Sequence, residues 1–254
     1  MNSLQQLQPK DWITLIASLS AVTFSALSYW QRSSAGRMMV RKQLTDVVER
    51  LTDIAAEIAK YHAFPPERRQ ADFPPSYVAL LNDQRRFLVR QAEFLSRRIR
   101  PLVSPYEYLL IASAFDSLDD TVRAEEFFRL ATDTSEAIDK GIALRSYAQY
   151  LFGRGLVDEA RQNFDKALLA FNGDSDGLRA HRGHTCERWA SQERAWGDAA
   201  SREHLLQRAI GEFSRLDNPS RRSHEVARIN RQLASQAHHV TCAEEHRADA
   251  ASDR

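Results

Sequence analysis

The chain has 254 residues, with 35 lysines and arginines against 34 aspartates and glutamates. A net charge of +1 does not favour bulk binding to nucleic acid, and two cysteines give no disulfide framework. The length allows one membrane anchor and one domain of about 180–220 residues.

The first predicted element is a membrane-spanning helix over residues 12–31, twenty residues without a charged side chain. At 1.5 Å per residue such a helix covers about 30 Å, which matches the hydrocarbon core of a bilayer. Trp12 at one end, and Tyr29 with Trp30 at the other, occupy the places of an interfacial aromatic belt. We therefore predict an N-terminal tail and an uncleaved anchor within residues 1–35. A buried helix is the alternative.

The charges around this segment set its predicted orientation. The first eight residues are uncharged, and four cations follow the span: Arg32, Arg37, Arg41 and Lys42. This arrangement disfavours a cleaved signal peptide, and the positive-inside rule places the N-terminus outside and the remainder in the cytoplasm. Thirty of the basic residues are arginine, a skew typical of GC-rich genomes. We therefore expect a single-pass protein of the bacterial inner membrane.

Residues 36–63 carry an apolar seam with alternating steps of four and three residues. Such a seam predicts a juxtamembrane heptad helix. This seam fits either a coiled coil between two or more chains or packing against another helix of the same chain, and the sequence leaves both open. The seam consists of Val40, Leu44, Val47, Leu51, Ile54, Ile58 and Tyr61.

Four prolines in residues 64–76 predict a stiff linker. The helix predicted after it carries a basic stripe of Arg86, Arg90 and Arg97, which is either a solvated face or a contact with anionic lipid headgroups. No proline lies between residues 106 and 218, and no segment alternates polar and apolar residues with period two. The sequence therefore predicts an all-α fold.

A pattern recurs after 36 residues between positions 105 and 172. Ala124, Phe128 and Ala131 return as Ala160, Phe164 and Ala167, and the same offset aligns Tyr108, Ile111, Ala112 and Phe115 with Leu144, Tyr147, Ala148 and Leu151. A third, degenerate copy follows at an offset of 42, with Arg202 where the pattern has alanine. The pattern resembles the tetratricopeptide repeat, in which small residues face each other where two antiparallel helices touch.

The resemblance implies a solenoid of helix pairs over residues 77–240, closed by a polar helix and followed by a flexible tail over residues 241–254. In that family the first helix of each repeat forms a concave wall that holds a peptide or a protein. The Lys and Asn that clamp a C-terminal carboxylate in some members are absent here, so that ligand is not expected. Carried onto this chain, the partner-binding candidates are Tyr106, Leu109, Asp116, Arg145, Gln149, Phe152, Glu187 and Arg194.

No phosphate-binding loop, nucleophile elbow or metalloprotease motif is present in the sequence, and we expect no enzyme activity and no cofactor. Two groups contain the ligand types of a zinc site: His181, His184 and Cys186, and in the tail His239, Cys242 and His246. A fourth ligand is missing from both, so no metal site is predicted.

Two functions fit this organisation. The first is a membrane-anchored cytoplasmic adaptor whose repeats bind a protein partner. The second is an oligomeric effector that perturbs the membrane, with the repeats as its sensor. The second gains from a small-residue ladder of Ala17, Ala21 and Ser25, which lets spans pack closely.

Overall fold

In this computed structural model the backbone is described for residues 9–234 except 197, and the side chains for residues 35–234 except 70, 71, 196 and 197. Within these residues every regular element is helical and there is no strand, which confirms the all-α prediction. The α-helices are α1 (Pro9–Ala63), α2 (Pro66–Asp72), α3 (Tyr77–Arg98), α4 (Pro105–Asp116), α5 (Thr121–Thr134), α6 (Ala137–Gly153), α7 (Val157–Ala170), α8 (Asp176–Trp196), α9 (Ala199–Ser214) and α10 (219–234), and a 3₁₀ turn spans Arg100–Leu102.

The chain divides into two compact units, Met1–Val103 and Ser104–Arg254. In the first unit α3 packs against α1. The heptad seam of α1 is covered in this way within one chain: Leu44, Val47, Leu51 and Ile54 are buried, as are Leu81, Val89, Ala92 and Leu95 of α3. The repeat region was predicted to start at residue 77. Instead α3 belongs to the first unit, because its apolar face is the one that covers α1.

The other faces of α3 carry both charge and exposed apolar side chains. Arg86 pairs with Asp83 at 2.9 Å, and Glu93 pairs with both Arg90 and Arg97 at 3.4 and 3.1 Å. The basic stripe is therefore a solvent-exposed face with carboxylate partners on its own helix. Leu80, Phe87 and Phe94 are exposed at 55, 70 and 59 %.

The predicted anchor at residues 12–31 lies in the part of α1 whose side chains are outside the described residues. Where the structure describes the chain fully, no helix combines the length and the apolar character that a membrane span requires. The anchor stays a prediction.

The proline-rich segment contains a short helix rather than a linker without structure. Pro66 occupies the first turn of α2, where its fixed φ suits a helix and its missing N–H costs nothing. Phe64, Phe73, Tyr61 and Tyr77 form a chain of ring contacts with centroids 4.9 to 6.1 Å apart. These rings fix the connection between α1 and α3.

The second unit begins with a strong helix start. The Ser104 hydroxyl accepts from the Glu107 backbone N–H, and the Glu107 carboxylate accepts from the Ser104 backbone N–H, with Pro105 at the first helical position. Three helix pairs follow, α4 with α5, α6 with α7 and α8 with α9, and the first helices also contact one another in order. This solenoid-like stacking is compatible with a helical-repeat fold.

The first two pairs match at the offset of 36 residues. The turn between α4 and α5 has Asp119 at a φ of 58°, and the turn between α6 and α7 has Gly155 at 77°. The Asp120 N–H donates to the Phe115 carbonyl at 3.1 Å, and the Leu156 N–H donates to the Leu151 carbonyl at 3.0 Å. Ala112, Ala124, Ala148 and Ala160 have no exposed surface, as expected where helices touch.

The second and third pairs match at the offset of 42. A Cβ added to Gly141 would lie 2.5 Å from the Phe171 ring, and one added to Gly183 would lie 2.6 Å from the Phe213 ring. Both glycines therefore let an aromatic ring lie directly on a helix backbone. In the third pair the buried side chain of Arg202 stands at the place of Ala160.

The third pair is also held by charge. Arg161 of α7 donates to both carboxylate oxygens of Glu193 on α8, at 2.7 and 2.8 Å, and the Trp189 indole donates to the same group at 2.9 Å. These hydrogen bonds from Arg161 and Trp189 lower the Glu193 pKa against the effect of burial. At the end of the solenoid α10 buries Ile229 against the third pair.

Candidate functional site

The first helices of the three pairs form a wall with two clefts, which we call the groove. One cleft, of about 590 Å³, is lined by side chains that include Asp116, Asp119, Gln149 and Arg154. The other, of about 460 Å³, is lined by Arg145, His181, His184 and Glu187 among others. Arg188 lines both clefts, so the two meet at its side chain.

Two arginines on neighbouring helices form the centre of the groove. Arg145 of α6 is half-buried and donates to the Thr185 hydroxyl at 3.5 Å, while its Nε is buried without a partner. Arg188 of α8 donates to the Gln149 carbonyl oxygen at 3.2 Å. Among the described residues no carboxylate lies within 4.0 Å of either guanidinium. Burial, reinforced by the charge of Arg188, lowers the pKa of Arg145 to about 10.

Two histidines, His181 and His184, lie beside this pair. The His181 ring stacks on Phe171 with centroids 4.9 Å apart. Burial lowers the His181 pKa, and the charges of Arg145, His184 and Arg221 lower it further. Burial is thus the main cause of the lowered His181 pKa, and the positive charges around the ring add to it.

The far end of the groove is acidic. Burial raises the pKa of Asp116, Arg154 opposes this, and the neighbouring carboxylate of Asp119 adds to it. The Tyr150 hydroxyl donates to the Thr121 carbonyl at 3.0 Å and so holds its ring between the two helix pairs. The far end therefore has two carboxylates with Arg154 beside them, whereas no carboxylate of the described residues lies at the arginine pair.

Glu187 is already engaged within the protein. Its carboxylate accepts from the Arg228 guanidinium of α10 at 2.8 Å and from the Gln232 amide at 2.9 Å, and it lies 3.5 Å from His184 Nδ1. Burial opposes ionisation of Glu187, but the hydrogen bonds from His184, Arg228 and Gln232 outweigh it and lower the pKa to about 2. Glu187 ties α10 to α8 rather than offering a free carboxylate.

The predicted partner-binding residues fall into three groups. Asp116, Arg145, Gln149 and Glu187 line the groove. Tyr106 and Arg194 are exposed on α4 and α8. Leu109 and Phe152 are buried, and Phe152 packs on Phe164 with ring centroids 6.0 Å apart, so the core takes these two side chains away from a partner.

Three further residues line the groove that were not among the predicted partner-binding residues: Arg188, Arg154 and Tyr150. At the offset of 42 residues, Glu187 is the counterpart of Arg145. Yet the side chain that reaches towards α6 from α8 is the next one, Arg188. A search for polar residues on both sides of each repeat position would have found it.

The structure describes only part of the predicted zinc candidates. Cys186 is fully buried, and burial raises its thiol pKa to about 11. Among the described residues no three His, Cys, Asp or Glu side chains are grouped as a metal site. His239, Cys242 and His246 lie outside the described residues.

Comparisons with protein-family models, with curated proteins and with solved structures each found no match. The chemistry of the groove is thus the basis on which a function is assigned to this chain.

Proposed function

We propose that this protein is a membrane-anchored adaptor whose tetratricopeptide-like unit binds a segment of a partner protein in the groove. The observation that carries the proposal is the Arg145–Arg188 pair, two cations without a carboxylate at the meeting point of two clefts. Arg188 is exposed, but Arg145 is partly desolvated and uncompensated. A protein gains little stability from such a charge, so Arg145 is better explained by a ligand.

The repeat register supports the same function. The helix pairs recur at offsets of 36 and 42 residues. Their first helices, α4, α6 and α8, contact one another in order, and polar side chains of these helices form the groove wall. Stacked helix pairs of this kind present extended concave surfaces that suit protein segments. The adaptor proposal also includes the single span at residues 12–31 and a cytoplasmic C-terminal side.

The groove is tested by a photo-crosslinking residue in the full-length protein within membranes. We expect a discrete crosslinked product when the probe replaces Ser146, which lines the groove. Leu169, 78 % exposed on α7, is the matched control and should give none. Equal labelling from both positions contradicts a groove-bound partner.

The same assay includes a charge variant. Arg145→Glu combined with Gln149→Ala should remove the crosslinked product without loss of helicity or of membrane fractionation. Replacement of Cys242 and His246 by Ser and Ala should leave the product unchanged. Loss of the product in the second variant, with recovery on addition of zinc, would replace the groove by a metal-dependent site.

The anchor is tested by fractionation. We expect the full chain to stay with membranes after salt and carbonate washes, and a variant without residues 1–35 to be soluble and helical. A truncated protein that still sediments with lipid shows that the anchor assignment is wrong or that another surface binds the membrane.

One observation favours the second candidate, an oligomeric effector. Leu80, Phe87 and Phe94 recur every seven residues on α3 and are exposed, which is the pattern of a helix face that packs on another chain. Phe87→Glu with Phe94→Glu should then reduce the mass measured by light scattering in detergent. Val122→Glu, at a residue 78 % exposed on α5, is the control. If the protein without substitutions already has the mass of a monomer, the oligomeric effector is rejected.

A further inference from the structure

We infer that the Arg145–Arg188 pair is a binding site for an oxyanion carried by a side chain of the partner, so that the groove selects segments with an acidic group at this point. This inference rests on the proposed function of the groove and adds the chemistry of what it binds.

The surroundings of the pair are positive and lack compensation. Arg188 and the two histidines lie around Arg145, and the charge of Arg221 also reaches His181. The acidic side chains of the same cleft, Glu187 and Glu225, are both bound to Arg228. The Nε of Arg145 keeps an unused hydrogen-bond donor in a buried position. An oxyanion supplies the missing acceptors and the missing negative charge together.

Other arginines of this unit show what a structural role looks like. Arg161 has Glu193, Arg228 has Glu187 and Glu225, and Arg182 has Glu212 together with the backbone carbonyls of residues 171 and 173. Each of these three guanidiniums has a carboxylate partner inside the protein. Arg145 has only a hydroxyl at 3.5 Å, and Arg188 has only an amide oxygen. Arg202, which is buried within reach of the Arg194 charge, also has no carboxylate partner among the described residues. Arg145 and Arg188 differ from it because they line a cleft that a ligand can enter.

The charge at the other end of the groove narrows the ligand further. Asp116 and Asp119 lie there beside Arg154, and a long polyanion that ran along the whole groove would meet both carboxylates. A peptide with an acidic side chain at the arginine pair and a basic side chain towards the aspartates matches both ends. Carboxylate and phosphate share the oxyanion chemistry, and the guanidinium fork can accept either.

The site is tested with blocked hexapeptides and the full chain in detergent micelles. The probe has the sequence Glu-Glu-Ser-Ser-Lys-Lys, and in the matched control both glutamates are replaced by glutamine. A third peptide carries one phosphoserine in place of the two glutamates. Titration is followed by NMR through the His181 ring and the arginine Nε–H signals. We expect the glutamate probe to bind at least about tenfold more tightly than the glutamine control.

The His181 signal supplies a readout that simple surface association would not move. Arg145 lowers the His181 pKa, so an anion bound at the pair should raise it. Arg145→Gln with Arg188→Gln should abolish both the binding preference and the shift of the His181 pKa. Arg208→Gln with Arg215→Gln removes the same charge from two exposed positions, one on α9 and one directly after it, and should leave both unchanged.

A stability measurement separates a ligand site from a structural arginine. Without ligand, Arg145→Met should raise the thermal midpoint by about 2–4 °C, because it removes a partly buried and uncompensated charge while it keeps the apolar stem. If Arg145 instead stabilises the fold, its replacement by Met should lower the thermal midpoint. A midpoint that falls in this variant, with a probe preference that survives, overturns the inference.

The inference and the proposed function can fail separately. If the crosslinked partner is captured at Ser146 but the glutamate probe binds no better than the glutamine control, the groove stands and the oxyanion site is rejected. If the probe shows the preference and the His181 shift, but no partner is captured, the site stands and the adaptor function is rejected. Stronger binding of the phosphoserine peptide than of the glutamate probe assigns the site to phosphate.

Discussion

The second helix pair, α6 with α7, and the third, α8 with α9, use the same glycine-under-phenylalanine contact but differ in what holds them. In the second pair small side chains meet: Ala148 and Ala160 are fully buried. In the third pair Arg202 replaces the second alanine, and Glu187 and Glu193 bind arginines of neighbouring helices. Both copies are thus packed through an apolar core, and the third adds carboxylates of α8 that bind arginines of α7 and α10.

The difference shows how a repeat unit can end a solenoid. An internal pair is covered on both sides, so apolar contacts suffice. The last pair has only α10 beyond it, and its ionic contacts fix that helix in place while its outer face stays polar. Four predictions test this comparison and the turns of the helix pairs, from the largest expected effect to the smallest.

Ala148→Trp should unfold the second unit. Ala148 has no exposed surface where α6 meets α7, so an indole must displace one helix. Overpacking of this kind costs about 1–3 kcal/mol or more. Thermal unfolding followed by circular dichroism measures it, with Leu169→Trp on the exposed face of α7 as the control. An unchanged midpoint for Ala148→Trp would reject the repeat register.

Glu193→Gln should destabilise the third pair by about 2–3 kcal/mol, because it leaves the Arg161 guanidinium with a neutral partner in a mostly buried contact. Arg161 is itself partly exposed, which keeps the effect below that of a fully buried pair. Asp158→Asn is the matched control, since Asp158 approaches the same arginine only at 4.0 Å and is 94 % exposed. Urea denaturation compares the two; equal small effects would show that Glu193 contributes little.

Glu187→Gln should change how stability depends on acid. The folded-state pKa of Glu187 is about 2 against an ordinary value of 4.5, so its contribution is complete above pH 4.5 and is lost as the pH falls towards 2. In the variant the free energy of unfolding should therefore fall less between pH 5 and pH 3, by about 1–2 kcal/mol. Glu203→Gln at an exposed position is the control. If the free energy of unfolding depends on pH in the same way in Glu187→Gln and in the unmodified protein, Glu187 does not contribute to acid sensitivity.

Asp119→Gly should stabilise the first pair by about 0.5 kcal/mol, because Asp119 adopts a φ of 58° that glycine tolerates without strain. The reverse change, Gly155→Ala, should cost about 1 kcal/mol at the equivalent turn. Chemical denaturation gives both values. Effects of the same sign at the two turns would show that the turns are not equivalent.

The sequence predicted much of the repeat region because steric needs leave a local pattern. Ala112, Ala124, Ala148 and Ala160 recur at fixed spacings, since each must be small where helices touch. Gly155, at the turn between α6 and α7, has a positive φ that glycine adopts without strain. The seam of α1 was equally clear, but a seam does not say what covers it, and only the structure shows that α3 does.

The candidate site was predicted in part. Arg145 and Gln149 follow from their place in the first helix of the best repeat, and the structure places both in the groove. Phe152 has the same helix and a suitable spacing, yet it packs into the core against Phe164. The position of a residue in a helix gives only an approximate direction for its side chain. Whether that side chain is buried depends on the neighbouring helix.

The sequence by itself determined that this chain is helical and that its pattern of helix pairs recurs at offsets of 36 and 42 residues. Both follow from the spacing of apolar residues and from side-chain size, which are local properties of the sequence. The tertiary structure alone decided which charges are compensated. Arg161 finds Glu193 on the next helix, whereas Arg145 meets Arg188. Whether a charge is paired depends on side chains from different helices that meet only after folding, and electrostatic energy depends on that distance rather than on separation along the chain.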